Sequence, residues 1–289
     1  MDVGALRVGL HISIEGEIDR AVDRALERGC NTMQMFTRNP RGWQFKALEP
    51  SVVECFRMKL VGSGIYPVFS HMPYLPNLAS PKEEVYALSV KSLKAEVQRC
   101  IQLRIPYVVS HMGSDLGFGK VAGLKRIVAA IDSALQESSG ETMVLLENTA
   151  GTKNSMGSTF EDVKKVLDRT AEQKRVGICL DTCHAYAAGY DIVTPTAIER
   201  TLGRFEDVIG IDRLKVIHLN DSVGGLGSHL DRHEHIGLGK IGEDGFRNIL
   251  RSPLRQFPLI LETPIDERRS DVGNLQKVRE FASSNAIRK

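Results

Sequence analysis

The feature that most restricts this chain is a repeated alternation: a short apolar run rich in Val, Ile and Leu, then a longer stretch of helical periodicity. Runs suited to strands occupy residues 6–12, 32–37, 66–72, 107–112, 142–149, 176–182, 214–221 and 259–264. Helical patterns fall at 18–29, 82–103, 120–136, 159–172, 196–208, 244–250 and 272–283. In the first of these, Ile18, Val22, Ala25 and Leu26 share one face, and Gly29 supplies a C-terminal stop. Pro81 and Pro195 stand where a first helical turn tolerates a missing N–H. Strands that alternate with helices pair in parallel through right-handed crossovers. Eight such units close most economically into a (β/α)8 barrel of the TIM type, with an open doubly wound sheet as the competing architecture.

The 289 residues carry no linker and no low-complexity segment, and they suit one domain over 1–289. A chain that is 42% hydrophobic and 26% charged can bury a sizeable core. No apolar run approaches the length of a membrane span, and the N-terminal MDVGALRVGLHIS lacks the layout of a signal peptide. Cys30, Cys55, Cys100, Cys179 and Cys183 form no CxxC pair, so we expect buried free thiols in a reducing cytoplasm, with Cys179 and Cys183 as packing residues. With 38 basic against 36 acidic residues the net charge is only +2. A polyanion would need a local basic patch or bound cations.

The chemistry lies in what ends each strand. His11, His71, His111, Glu147, Asp181 with His184, His218, and Glu262 all sit at or just after C-terminal ends of the apolar runs. In a barrel those ends converge on one face, where catalytic sites of this architecture are built. One such group is ordinarily a satisfied polar residue, but six or seven converging together are not explained that way; unpaired, the acids would repel one another and pay for desolvation, and cations are the simplest remedy. After the seventh run, Asp231 and His233 stand two apart, which on an extended segment turns both to one side. His229 and His235 flank them, and His235 reads as a supporting residue. The run Gly237-Leu238-Gly239-Lys240-Ile241-Gly242 fits G-x-G-x-x-G, but it follows a polar His-rich loop rather than a strand, so a turn explains it better than a dinucleotide site.

Five longer stretches, HMPYLPNLAS (71–80), LLENTAG (145–151), CLDTCHAYAAGYD (179–191), VIHLND (216–221) and DRHEHIGLGKIG (231–242), resemble the endonuclease IV family of apurinic/apyrimidinic DNA endonucleases. The resemblance runs from His11 to Glu262. It implies a three-zinc site, with manganese possible at one position. His71, His111 and Glu147 would hold one ion; Glu147, Asp181, His218 and Glu262 a second; His184, Asp231 and His233 a third. His11 would lie outside these ligands. Glu147 and Glu262 would be the catalytic pair, around a water activated between the first two ions. Four ligand carboxylates against three divalent ions leave the site formally +2, which attracts phosphate despite the balanced composition.

The resemblance further implies a hydrolase of DNA repair, deoxyribonuclease IV in activity. It would cut the phosphodiester 5′ to an abasic site in duplex DNA, leave a 3′-hydroxyl, and clear blocked 3′ ends, as a monomer. Arg38, Asn39, Arg41 and Trp43 after the second strand, Tyr74 and Leu75 after the third, and Lys153 and Asn154 after the fifth are the expected DNA contacts. Arg41 and Tyr74 would enter the duplex at the lesion. Trp43 packing beneath its loop and Arg38 as a solvated charge are the plainer alternatives. Pro40, Met72 and Pro73 depart from the family's pattern and bear on loop shape. Two other readings compete. A metal-dependent sugar isomerase or epimerase of the xylose-isomerase-like barrels has no need of a third ligand set. A non-catalytic binding barrel would not be expected to keep every ligand position.

Overall fold

The computed structural model describes residues 6–283; the ends of the expected domain, with the first residues of the N-terminal segment, lie outside that range. Ten strands follow in chain order: β1 (Val8–Ile12), β2 (Met33–Met35), β3 (Val68–His71), β4 (Tyr107–His111), β5 (Met143–Glu147), β6 (Val176–Asp181), β7 (Leu214–His218), β8 (Asp221–Ser222), β9 (His233–Glu234) and β10 (Leu259–Leu261). The helices are α1 (Arg20–Glu27), α2 (Pro50–Ser63), α3 (Glu83–Leu103), α4 (Lys120–Gln136), α5 (Phe160–Arg169), α6 (Thr182–Ala187), α7 (Pro195–Val208), α8 (Gly242–Ile249) and α9 (Asp271–Ser283). Strands β1 to β7 and β10 form one closed parallel barrel, which excludes the open sheet; β8 and β9 make a separate antiparallel pair. Among the described residues, no helix is long and apolar enough to cross a membrane.

The pleat explains how the barrel presents a site. Alternate residues of a strand face opposite ways. Val68, Val108, Val144, Leu146, Ile178 and Ile217 join the layer packed with the helices, whereas Phe69, Val109, Leu145, Cys179, Val216 and Ile260 form a separate buried cluster. Two residues beyond each member of this second cluster come His71, His111, Glu147, Asp181, His218 and Glu262 in turn. The same alternation that fills the barrel with apolar side chains therefore lifts six metal-capable groups to its C-terminal mouth. On β1 the partner of His11 is Gly9, where a Cβ would meet the Thr32 carbonyl oxygen at 1.8 Å. Only glycine lets β1 come this close to its neighbour.

Several elements differ from the sequence expectation. Helix α2 was not foreseen: its apolar residues are spread around the axis, and only Val53 and Phe56 are buried, so no single stripe marks it. The expected strand over 176–182 stops at Asp181, whose carboxylate accepts the His184 N–H at 2.8 Å and caps α6. His184 thus sits on a helix rather than at a strand end. The expected strand over 214–221 divides into β7 and the short β8.

Candidate metal centre

The centre is organised by Glu147, which ends β5 and is fully buried. Its Oε2 lies 3.2 Å from His71 Nε2 and 3.3 Å from His111 Nε2. Its Oε1 lies 3.1 Å from His218 Nδ1 and 3.4 Å from His184 Nδ1. The two oxygens of one carboxylate therefore address two different groups of imidazoles. His218 Nδ1 is also 3.3 Å from Glu262 Oε2 and 4.0 Å from Asp181 Oδ2. His184 Nε2 lies 3.0 Å from Asp231 Oδ1, and His233 Nε2 lies 3.5 Å from Asp181 Oδ2. Among the described residues five groups have donor atoms within 4.8 Å of one another, and three of them contain no cysteine: His71, His111 and Glu147; Glu147, Asp181, His218 and Glu262; His184, Asp231 and His233. The other two, Glu147 with Cys179 and His218 and Asp181 with Cys183 and His233, enlist thiols that burial pushes up to about 12.

Most of these side chains are held from behind. His71 Nδ1 faces the Met72 carbonyl at 2.6 Å, His184 Nδ1 the Asn148 carbonyl at 2.9 Å, and His233 Nδ1 the Glu262 carbonyl at 3.0 Å. Such contacts fix the ring and leave the other nitrogen free to ligate. Asn220 donates to Asp181 Oδ2 at 2.7 Å and accepts the Glu262 N–H at 2.8 Å. Gln34 of β2 donates to Glu262 Oε1 at 2.6 Å, and its own Oε1 lies 2.8 Å from His218 Nε2. His11 Nδ1 lies 3.1 Å from Glu262 Oε1, so His11 supports Glu262 and belongs to none of the three sets.

The electrostatics fit cations. Burial opposes charge throughout, yet His111 and His218 around Glu147 outweigh it and hold that carboxyl well below the usual range. Burial likewise loses at Glu262 to His218, His11 and His71. At His184 burial is overcome chiefly by Asp181 and Asp231, and at His218 by Cys179, Glu262 and Glu147, so both imidazoles are raised well above their ordinary value. With protein groups alone, protons on histidines must neutralise the acids. Two buried ring nitrogens, His11 Nε2 and His233 Nε2, have no hydrogen-bond partner. An imidazole nitrogen of His233 aimed among carboxylates and left unpartnered is what a metal ligand requires.

The other candidate histidines separate cleanly. His235 is buried with Nε2 2.9 Å from Asp266 Oδ1 and Nδ1 2.9 Å from Asn274 Nδ2, and it belongs to no ligand set. His229 is exposed, and its Nδ1 faces the Ala150 carbonyl at 3.0 Å.

The mouth opens into a cavity of about 370 Å³ lined by His11, Phe36, Tyr74, Asp231, Glu262 and Ile265 among others. Tyr74 is 69% exposed, with its ring edge-on to Phe36 at 5.2 Å. Its N–H donates to the Pro40 carbonyl, tying the loops after β2 and β3, while Asn39 Oδ1 accepts the Arg41 N–H. Asn39, Arg41, Leu75, Lys153 and Asn154 are exposed and Trp43 is half-buried. Asn154 has a left-handed φ of 65°, and its carbonyl accepts the Asp115 N–H, so part of its role is to shape the turn. Arg38 is the exception. It is 5% exposed, its Nε lies 3.4 Å from Glu96 Oε2, and its guanidinium covers Phe45. It is neither a solvated charge nor presented to a phosphate; it anchors the loop from below.

Gln34, Asn148, Asn220 and Glu96 were missed in the sequence. No spacing rule marks them, although Asn148 and Asn220 each stand one or two residues beyond a ligand, which is a usable signal.

Residues 22–284 match the family described as the xylose isomerase-like TIM barrel, the class that this barrel and its strand-end acids and imidazoles define. The chain is 56% identical over 279 residues to the probable endonuclease 4 of Methanoculleus marisnigri, covering 96% of this chain and 99% of that protein. It is 48% identical to the probable endonuclease 4 of Nitrosopumilus maritimus, covering 96% and 100%. Endonuclease IV from Thermus thermophilus superposes with a TM-score of 0.85 at 36% identity, over 96% of this chain and 99% of that one. The chain belongs to the endonuclease IV family. A D-tagatose 3-epimerase-like protein, at 17% identity and a TM-score of 0.70, shares the fold alone.

Proposed function

We propose that this protein is a zinc-dependent DNA-repair endonuclease that hydrolyses the phosphodiester 5′ to abasic sites in duplex DNA, leaves a 3′-hydroxyl, and clears blocked 3′ ends. The observation that carries the reading is the division of labour at Glu147, whose two oxygens serve two ligand sets while a third set adjoins through Asp181 and His184. His71, His111 and Glu147 would hold the first ion, Glu147, Asp181, His218 and Glu262 the second, and His184, Asp231 and His233 the third. Divalent ions, zinc with manganese able to serve at one position, supply Lewis-acid activation of water and neutralise phosphate charge when bound.

The chain's own residues do the rest. Gln34 and His11 orient Glu262, Asn148 and Asn220 orient Asp181, and the apolar layer beneath excludes bulk water from that side. Tyr74, braced on Phe36, and Arg41 enter the duplex, where a missing base makes unstacking cheapest. Asn39, Trp43, Leu75, Lys153 and Asn154 complete the contact surface. Arg38 leaves this surface, because its charge is committed to Glu96. One chain carries all three ligand sets, so a monomer suffices. The third set also favours this reading over a sugar isomerase.

The test is incision of a duplex bearing one abasic site, with and without chelator, alongside metal analysis of the purified protein. We expect chelator-sensitive cutting and three ions per chain. A protein that holds no metal and does not cut overturns the reading; two or fewer ions with sugar turnover would point to an isomerase.

A further inference from the structure

The G-x-G-x-x-G run that the sequence offers as a turn has an occupant. Asp221 is fully buried, and its carboxylate gathers main-chain N–H groups from four of the run's six residues. Its Oδ1 accepts from Ser222 at 2.8 Å and Ile241 at 3.0 Å. Its Oδ2 accepts from Gly237 at 3.0 Å, Gly239 at 2.9 Å and Gly242 at 3.3 Å. A concave array of N–H groups of this kind binds anions, and here the anion is the protein's own. Gly239 is needed for the approach, since a Cβ there would lie 2.5 Å from Asp221 Oδ1 and from the Ser222 carbonyl oxygen.

The same residue is tied to the ligand segment by its backbone. Asp221 pairs with Glu234, and Ser222 with His233, in the β8–β9 ladder. The Val223 N–H donates to the Arg232 carbonyl at 3.0 Å, and the Lys240 N–H to the Ser222 carbonyl at 2.7 Å. Asp221 therefore grips both the strand that carries His233 and the loop by which the chain leaves that strand. Asp231, by contrast, is exposed, and the segment 226–232 that leads to it is exposed throughout.

We propose that Asp221 is a positioning residue for the third ligand set: by gathering five main-chain N–H groups it closes the base of the 223–236 excursion and sets Asp231 and His233 against His184. The inference rests on the metal reading given above for the ligands, but the latch itself is a matter of hydrogen bonding.

The test compares the purified holoenzyme with Asp221→Asn and Gly239→Ala. Asparagine keeps one acceptor oxygen and turns an NH2 group toward main-chain donors; alanine pushes the carboxylate from the other side. Metal content by mass spectrometry should fall from three ions to two per chain in both variants, with excess zinc restoring the third. Hydrogen exchange across 231–242 should speed up at least tenfold, with the barrel strands unchanged. Gly239→Ala keeps the carboxylate itself and only displaces it, so it carries the test should Asp221→Asn fail to fold. Three ions held against chelator as in the parent, or loss of all ions together, overturns the proposal. Unchanged exchange across 231–242 overturns it as well. A parent that holds fewer than three ions while its variants still exchange faster would sink the metal reading and leave the latch standing.

Discussion

Removing Glu96 should destabilise this protein severely and weaken DNA binding, although Glu96 lies outside the metal centre. Glu96 sits on α3 with no solvent exposure. It accepts hydrogen bonds from Thr37 Oγ1 at 2.8 Å and from Ser70, and it faces Arg38 Nε at 3.4 Å. Arg99 completes the cluster by donating to Thr37 Oγ1 at 2.9 Å and to the Lys46 carbonyl at 2.9 Å. Arg38 and Arg99 are only 5% and 8% exposed, so Glu96→Ala strands two guanidinium groups without an anion. Breaking a buried pair from one side costs about 3–5 kcal/mol. For a domain of this size each kcal/mol is worth about 2–4 °C, so the midpoint should fall by about 6–20 °C. The loop over 38–46 is held by these bonds, so affinity for abasic duplex should fall more than metal content. The assay is thermal and denaturant unfolding together with duplex binding and metal analysis. Replacing both partners, Arg38→Met with Glu96→Leu, should recover part of the loss, since the uncompensated charge is gone. A loss below about 1 kcal/mol for Glu96→Ala would refute the argument that the pair is a committed buried charge.

Glu262→Gln should keep the fold but lose metal and at least about 100-fold of the incision rate together, as metal analysis and a cutting assay would show; full incision would remove Glu262 from the ligands. Arg41→Ala should weaken abasic-duplex binding about 10-fold with metal content unchanged, whereas equal binding would take Arg41 out of the interface. In metal-stripped protein His184 and His218 are raised well above the ordinary histidine value, so they carry protons that an incoming cation must expel. Metal affinity should therefore fall as pH drops, and calorimetry in buffers of different ionisation enthalpy should detect proton release; heats independent of buffer would contradict this. Burial pushes the Cys30 thiol up to about 11 and those of Cys179 and Cys183 to about 12, so at pH 8 the folded protein should resist disulfide-exchange reagents, with half-buried Cys55 reacting first. Rapid labelling of Cys179 without unfolding would contradict its place inside the barrel.

The barrel and the gathering of strand-end acids and imidazoles at its mouth were legible because both follow from local periodicity. A parallel strand alternates its faces, and closure brings strand ends together, so the residues two places beyond Phe69, Val109, Leu145, Cys179, Val216 and Ile260 had to meet. The five family stretches then sorted those groups into sets. Helix α2 escaped because its burial is confined to Val53 and Phe56, and the periodicity of a mostly exposed helix carries little signal.

What the linear chain determined by itself, then, was the repeat, the mouth and the chemical nature of the groups gathered there. The tertiary structure alone decided which neighbour each polar side chain would find. Arg38 turned inward because Glu96, 58 positions along, supplied an anion in a dry place. His235 turned away from the centre because Asp266 and Asn274 were there to hold it. Asp221 filled the glycine run because the chain returned on itself to offer four N–H groups beside that of Ser222. Pairings of this kind depend on contacts between distant segments, and burial penalises any polar group left without one, so they become definite only when the chain is closed upon itself.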